Sequence, residues 1–287
     1  MRDLLTIRDL ARADLEQILA LSTNPPAKQP LAGKGIALYF EKPSARTRNS
    51  MEMAAVQLGA HPIYLQRDEL GIGSRESAAD VARTLACYHA VIAARVKDHA
   101  VLDEMAAATE TPLLNMLSDS DHPLQALADM LTIQQLLGRI EGARIAFVGE
   151  ANNVARSLAE ACSLLGAQLT VASPAGYGFD APLPGVRQVE DPAEAVVGAD
   201  VVYADVWVSM GQNAEAAARS GAFVDHIVDA VLMARSNYAW FMHCLPARRG
   251  EEVAGEIIDG PRSAVWRQAE NRMHSARGAL LWMTGSA

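Results

Sequence analysis

The sequence predicts an α/β protein built as two doubly wound domains, each a mostly parallel sheet flanked by helices. Three observations lead there. Short apolar runs alternate with stretches whose apolar residues recur at helical spacing, and such alternation implies parallel strands joined by crossover helices. The chain is 287 residues long, enough for two domains at ~150 residues each. The alternation breaks at Gly138-Arg-Ile-Glu-Gly142 and then begins again. The predicted division is 1–138, 139–262 and a C-terminal helix at 263–287.

In the first half, residues 6–22 carry Leu10, Leu15, Ile18 and Leu21 on one helical face, with Thr6 or Asp9 as the cap. Ile36–Phe40 reads as a buried strand. Ser44 then caps a helix that Gly59 stops. His61–Leu65 is a second strand. Gln66–Glu76 is polar and glycine-rich and reads as a mobile loop. A helix over 77–88, a strand over 91–96, a helix over 101–108 and a strand over 112–116 follow. Pro123 suits the first position of the next helix.

The second half starts with a strand at Ala143–Gly149 and a helix from Val154 to Leu165, stopped by Gly166. The turn between them, Gly149-Glu-Ala-Asn-Asn-Val, is not G-x-G-x-x-G, so a dinucleotide site is poorly supported. Strands follow at 169–172, at 201–207 and from Tyr238 towards Pro246, with short helices at 191–197 and 251–257. The last helix, Val265 to Met283, is predicted to pack through Trp266, Ala269, Met273, Ala276 and Leu280, with Arg272 pointing away.

The net charge of −9 argues against wholesale nucleic-acid binding. Cys87, Cys162 and Cys244 are odd in number and widely spaced, so neither a disulfide framework nor a zinc site is indicated. No apolar run approaches ~20 residues, and acids interrupt the N-terminal apolar pattern. A signal peptide and a membrane span are therefore not expected, and the cytoplasm is the default.

One turn stands out against this acidic background. Ser44-Ala-Arg46-Thr47-Arg48 lies between a strand and a helix, where backbone N–H groups and the positive helix end favour an anion. A helix start ordinarily prefers acids, so two arginines there repel unless a negative group sits between them. The plainer reading is a solvated basic turn with a serine cap. His122, just before Pro123, is either a capping residue or a reactive one, with Gln125 three residues on and roughly above it.

Four segments, F-E-K-P-S-A-R-T-R, D-H-P-L-Q-A-L-A-D, D-V-W-V-S-M-G and M-H-C-L-P, in this order and at these spacings resemble the aspartate/ornithine carbamoyltransferase family. The last two resemble its ornithine branch, and Glu270-Asn271-Arg272 extends the match to nearly the whole chain. The resemblance implies an N-terminal domain that binds carbamoyl phosphate and a C-terminal domain that binds the amino acid. The final helix would return to the N-terminal domain. Ser44, Ala45, Arg46 and Thr47 would hold the phosphate; Arg95, His122 and Gln125 the carbamoyl group; Asn153, Asp205, Ser209 and Met210 the ornithine. Cys244, Leu245 and Arg272 would complete the site between the domains. The catalytic set so implied is Arg95, His122, Cys244 and Arg272, in a homotrimer of arginine- or urea-type metabolism.

Such a reaction needs donors around a carbonyl oxygen and a leaving phosphate, with no metal, cofactor or covalent intermediate required. Cys244 fits a proton relay or amine contact and, equally, a buried structural thiol. The sequence departs from the family pattern at Ala45, where Thr is usual, at Gly71, where Gln or His often reaches a neighbouring subunit, and at Glu150, where Asp is usual. Ser74 or Arg75 is the alternative for the Gly71 role. Lysine, putrescine or an acylated ornithine as acceptor, and a non-catalytic binding paralogue, are the competing readings.

Overall fold

A computed structural model describes residues 2–208 and 215–286. By contacts the chain divides into two units, Met1–Leu131 with Glu270–Ala287, and Thr132–Ala269.

In the first unit, β1 (Gly35–Phe40), β2 (His61–Gln66), β3 (His89–Arg95) and β4 (Leu113–Leu117) form one sheet in the order β2-β1-β3-β4. Every pairing is parallel. Such a sheet needs both faces covered, which explains why Ile36 to Phe40 and Val91 to Ala94 are continuous apolar runs rather than alternating ones. The N-terminal segment covers the β4 edge: Leu4 N donates to Leu113 O and Asn115 N to Leu4 O, both at 2.9 Å. That blunts an otherwise unpaired strand.

The crossovers are α2 (Ala45–Gln57), α4 (Ala78–Ala86) and α5 (Ala100–Ala108), preceded by α1 (Arg12–Thr23). Ser44 caps α2 and Ser77 caps α4. The first helix is shorter than predicted. Thr6 does not cap it; its hydroxyl bonds to Asp9 at 2.6 Å, and the helix starts six residues later with Asp14 accepting from Ala11 N. The glycine-rich loop is more ordered than its composition suggests, because Arg67–Leu70 forms the one-turn helix α3, ended by Gly71 at φ +65°. Ser74 and Arg75 bond back to Gly71 and Glu69 of the same loop.

The helix α6 (Pro123–Leu137) leads to the second sheet. Its strands are β5 (Arg144–Val148), β6 (Gln168–Ala172), β7 (Val186–Val189), β8 (Val201–Ala204) and β9 (Trp240–His243). The order is β7-β6-β5-β8-β9, again all parallel. The edge strand β7 has no residue buried below the surface layer, so it carries little of the apolar signature that marks the other strands. The flanking helices include α7 (Asn153–Leu165), α8 (Pro192–Val196), α9 (Ala216–Ala222), α10 (Ala230–Met233) and α11 (Gly255–Ile258). The helix predicted over 251–257 forms only from Gly255 onward, and its first residues stay non-helical. Glu252 is fully buried and accepts from His243 and from Arg248 N, which holds that stretch as a turn.

The last helix, α12 (Val265–Thr284), joins the first unit from Glu270 onward. Arg277 NH2 donates to Ser22 O at 2.8 Å and NH1 to Gln57 Oε1 at 2.7 Å, so α12 packs on α1 and α2. Its buried surface is only in part the one that apolar residues suggested: Ala276 and Leu280 are buried, and Ala269 and Met273 half-buried. Trp266 is 60% exposed, whereas Arg272 is 8% exposed. From Ser275 to Met283 every residue is buried, Arg277, Leu281 and Trp282 included, and Asn271 and Arg272 are buried one turn earlier. This buried surface includes the polar side chains of Asn271, Arg272, Ser275 and Arg277, which a hydrophobicity reading does not mark as buried.

Candidate active site

In open parallel sheets, ligands sit beyond the C-terminal strand ends where the strand order reverses. In the first unit that point lies between β1 and β3. There Glu41 N bonds to Arg95 O at 2.9 Å and Lys97 N to Glu41 Oε2 at 2.7 Å, tying the two exits together. Arg95 is the last residue of β3, and Ser44–Thr47 open α2 directly after β1.

Thr47 is the focus of this cluster. Its Oγ1 accepts from Arg95 NH1 at 3.4 Å, from Arg272 NH2 at 3.4 Å and from Ser44 Oγ at 3.2 Å. Three donors therefore converge on one hydroxyl that has two lone pairs. Among the described residues neither Arg46 nor Arg95 has an ion-pair partner. Burial, then Arg272, then Arg46, lower Arg95 to about 10. The α2 N-terminus adds its positive end, with no acid in the first turn. Cations brought together at a helix start, with a buried arginine destabilised by two others, make a site for an anion with several oxygens. Ala45 and Arg46 lie exposed at its rim.

His122 and Gln125 are 5% and 1% exposed. His122 is held well below the usual imidazole range, first by burial and then by the charges of Arg272 and Arg95. It is therefore neutral at pH 7 and offers one N–H. Its carbonyl accepts from Gln125 N at 3.0 Å, as a helix-start residue does, so it is both cap and part of the cationic cluster. Arg272 NH1 donates to Gln125 Oε1, joining α12 to α6 within this unit. Ser44, Ala45, Arg46, Thr47, Arg95, His122, Gln125 and Arg272 thus gather in the first unit.

The second unit has its own cluster at its reversal point, between β5 and β8. Asp205, 5% exposed, follows β8. Its Oδ1 accepts from Val206 N at 2.8 Å and from the Cys244 thiol at 3.0 Å, and its Oδ2 accepts from Asn152 Nδ2 at 2.8 Å. Strands β5, β8 and β9 each contribute one group beyond their C-terminal ends. Asn153 is the first residue of α7; the side chain that reaches Asp205 belongs to its neighbour Asn152, which also caps α7 through Val154 N and Ala155 N. The sequence reading missed Asn152, although an asparagine before an apolar helix is a capping signal. Cys244 is part-exposed, and its thiol donates to the buried acid. Ser209 and Met210 lie outside the described residues.

Leu245 adopts φ +60°, a left-handed conformation that costs a non-glycine residue roughly 1–2 kcal/mol. Its N–H bonds to His243 Nδ1 at 2.9 Å, and His243 Nε2 donates to Glu252 Oε1 at 3.1 Å. The Cys244-Leu245 turn therefore rests on a buried His–Glu pair. Asp205, His243 and Cys244 place potential metal ligands within 4.8 Å of one another, but both His243 ring nitrogens are already engaged. Arg219 also went unread. It is 5% exposed, ion-pairs with Glu150 at 2.8 Å and Glu215 at 3.0 Å, and bonds to Trp207 O at 3.3 Å. Glu150, where the family pattern has Asp, is thus tied to α9.

Comparison with known proteins matches each half of the chain to a described domain. Residues 2–135 match the family model described as the aspartate/ornithine carbamoyltransferase carbamoyl-P binding domain, and residues 141–284 match the Asp/Orn binding domain. The chain is 46% identical over 301 residues to ornithine carbamoyltransferase of Hyperthermus butylicus, covering 97% of this chain and 96% of that one. The solved ornithine carbamoyltransferase of Pyrococcus furiosus superposes with a TM-score of 0.93 at 40% identity, covering 99% of this chain and 97% of the other. The anabolic enzyme of Campylobacter jejuni gives 0.93 at 29% identity over the full length of both chains. With both halves matched by the family's own models and the relatives aligned almost end to end, this chain belongs to the aspartate/ornithine carbamoyltransferase family.

Proposed function

We propose that the protein transfers the carbamoyl group of carbamoyl phosphate to the side-chain amine of L-ornithine, giving L-citrulline and phosphate, as a step of arginine biosynthesis. The observation that carries this reading is the pairing of opposite electrostatics in one chain. The first unit holds an arginine cluster around Thr47, and the second holds a buried carboxylate, Asp205, braced by Asn152 and Cys244. The first suits a phosphate, the second an ammonium.

In this reading Ser44, Ala45, Arg46, Thr47 and Arg272 hold the phosphate. Thr47, Arg95 and His122 face the carbonyl oxygen, and Gln125 the carbamoyl nitrogen. Cys244 and Leu245 are assigned to the carbamoyl end as well. Asn153, Asp205, Ser209 and Met210 bind ornithine, with Asp205 on the α-ammonium. The reacting amine must be neutral. Its pKa resembles that of lysine, about 10.4, so deprotonation at pH 7 costs roughly 4–5 kcal/mol. Attack on the carbonyl carbon builds charge on its oxygen and then on the leaving phosphate, and prealigned cationic donors stabilise both. A neutral His122 donates a hydrogen bond there without adding a charge.

The assignment extends to a cytoplasmic homotrimer, in keeping with the family; no helix among the described residues is long and apolar enough to cross a membrane. The decisive experiment is an assay with ornithine, lysine, putrescine, acylated ornithine and aspartate side by side. Citrulline formation with ornithine strongly preferred is expected. Preference for lysine, putrescine or acylated ornithine would move the protein to a sister activity, and no turnover by folded protein would leave a binding paralogue. Sedimentation equilibrium tests the trimer.

A further inference from the structure

We propose that Asp129 is a positioning residue that fixes the amide of Gln125 and thereby makes the donor site select an acyl phosphate bearing an NH2 group. The inference rests on the carbamoyl phosphate reading above and goes one residue deeper. Asp129 lies one turn after Gln125 on α6, on the same helix face. It is fully buried, and its Oδ1 accepts from Gln125 Nε2 at 2.8 Å. At the other end of the same amide, Arg272 NH1 donates to Gln125 Oε1.

The polarity of Gln125 is therefore determined twice. A carboxylate only accepts, so the amide nitrogen must face Asp129. A guanidinium only donates, so the amide oxygen must face Arg272. The flipped amide would set N–H against N–H and oxygen against carboxylate in a place without water to relieve either, since Gln125 and Asp129 are 1% and 0% exposed. Gln125 consequently presents a fixed acceptor to the cationic cluster that holds the donor substrate. An amide oxygen has two lone pairs; Arg272 takes one, and the other is available to an N–H of the substrate.

This defines a discrimination. An acyl phosphate with a methyl group in place of the carbamoyl NH2 has nearly the same shape and the same phosphate. It cannot donate to Gln125. Sites built to hydrogen-bond a substrate N–H reject the analogue that lacks it, because the buried polar group is left unpaired. The arginines recognise both molecules alike, so the choice falls to the Asp129–Gln125 pair.

The test uses two stable phosphonates, phosphonoacetamide, which carries the NH2, and acetonylphosphonate, which carries CH3. Their affinities are measured by calorimetry on the full-length protein, the D129L and D129N variants and the Q125M variant. The wild-type protein should prefer phosphonoacetamide by tenfold or more. D129L and Q125M should reduce that preference to about twofold or less, by weakening the amide ligand while acetonylphosphonate binds as before. D129N keeps a carbonyl acceptor and should retain part of the preference, about threefold. Equal weakening of both ligands would mean a merely structural Asp129 and would overturn the inference, as would a wild-type protein without preference. Should D129L not fold, a D129N preference equal to that of wild type overturns it. Failure of the wild-type protein to bind either phosphonate would instead remove the donor-site reading on which the inference stands.

Discussion

Asn152 and Asp205 join across 2.8 Å although 53 residues separate them, and the link exists because β5 and β8 are parallel neighbours with both chain exits at one end. One asparagine thus caps α7 and orients the acid. Hydrogen bonds to a charged group contribute about 1.5–3 kcal/mol. Asp205→Asn should therefore raise the KM for ornithine by at least tenfold to a hundredfold and leave phosphonoacetamide affinity unchanged. Asn152→Ala should raise that KM less and also lower the melting temperature, because loss of an N-cap costs about 1 kcal/mol. Steady-state kinetics beside a thermal melt separates the two effects.

The arginine cluster makes a prediction about stability. With Arg95 lowered to about 10 by burial and by two neighbouring arginines, a bound anion relieves repulsion that the folded chain otherwise carries. Inorganic phosphate at a hundred times its Kd should stabilise the protein by about 2.7 kcal/mol. Arg46→Ala should abolish the phosphate-dependent rise in melting temperature without lowering the melting temperature in phosphate-free buffer. Ala45→Thr, which restores the usual hydroxyl at the first turn of α2, should lower the KM for carbamoyl phosphate by up to about fivefold, the worth of one neutral hydrogen bond of ~1 kcal/mol.

How these residues came to be legible differs from case to case. Ser44 announced itself because a cap, two misplaced arginines and a strand exit all fall within a few residues, so local chemistry sufficed. His122 stood out locally, before Pro123, as a cap or a reactive group, and only the family resemblance grouped it with Arg95. The approach of Arg95 to Thr47 depends on strand order, and a parallel sheet sets that through contacts distant in sequence. Apolar periodicity places Arg272 on the wrong face because the buried side of α12 carries Gln268, Asn271, Arg272 and Ser275. Polar residues buried for function break the periodicity that reveals packing. Asp129 has no role that its motif reveals, since only the structure shows its carboxylate against the Gln125 amide. Strand β7 was invisible for a simpler reason: an edge strand of four residues with two exposed positions has too little apolar signal.

Buried histidine gives a prediction for pH. His122 has its folded-state pKa far below the unfolded value of about 6.5, chiefly through burial. The folded protein keeps it neutral while the unfolded chain takes up a proton, so stability is full above about pH 6.5 and is lost as pH falls below it. His89 and His226 are lowered by burial in the same direction. The melting temperature should fall between pH 7 and pH 5.5, and His122→Asn should flatten part of that fall. In kinetics His122 should contribute no ionisation between pH 6 and 8. The kcat/KM for ornithine should rise tenfold per pH unit through that range, following the neutral amine alone. A plateau centred near pH 6.5 would contradict a neutral His122.

Gly278 supplies the last prediction, because it decides how closely α12 approaches α1. A Cβ at this position would lie 2.1 Å from Ser22 Oγ, 2.6 Å from Ile18 O and 2.9 Å from Ser22 N. Two of those atoms are helix backbone and cannot rotate aside, and Ser22 Oγ is itself committed to Ile18 O at 2.7 Å. Gly278→Ala must therefore push the helices apart. Overpacking of this kind costs about 1–3 kcal/mol, against a gain of under about 1 kcal/mol from the better helix propensity of alanine. The shift acts on the same helix that carries Arg277, with its bonds to Ser22 O and Gln57, and Arg272, one and a half turns earlier. The variant should melt at a lower temperature and bind phosphonoacetamide more weakly, because Arg272 loses its register with Thr47 and Gln125. Ser22→Ala in the same chain should recover only part of both losses, since it removes the hydroxyl contact and leaves the two backbone contacts in place. A fully stable Gly278→Ala protein with wild-type ligand affinity would show that the α1–α12 crossing is looser than these distances require.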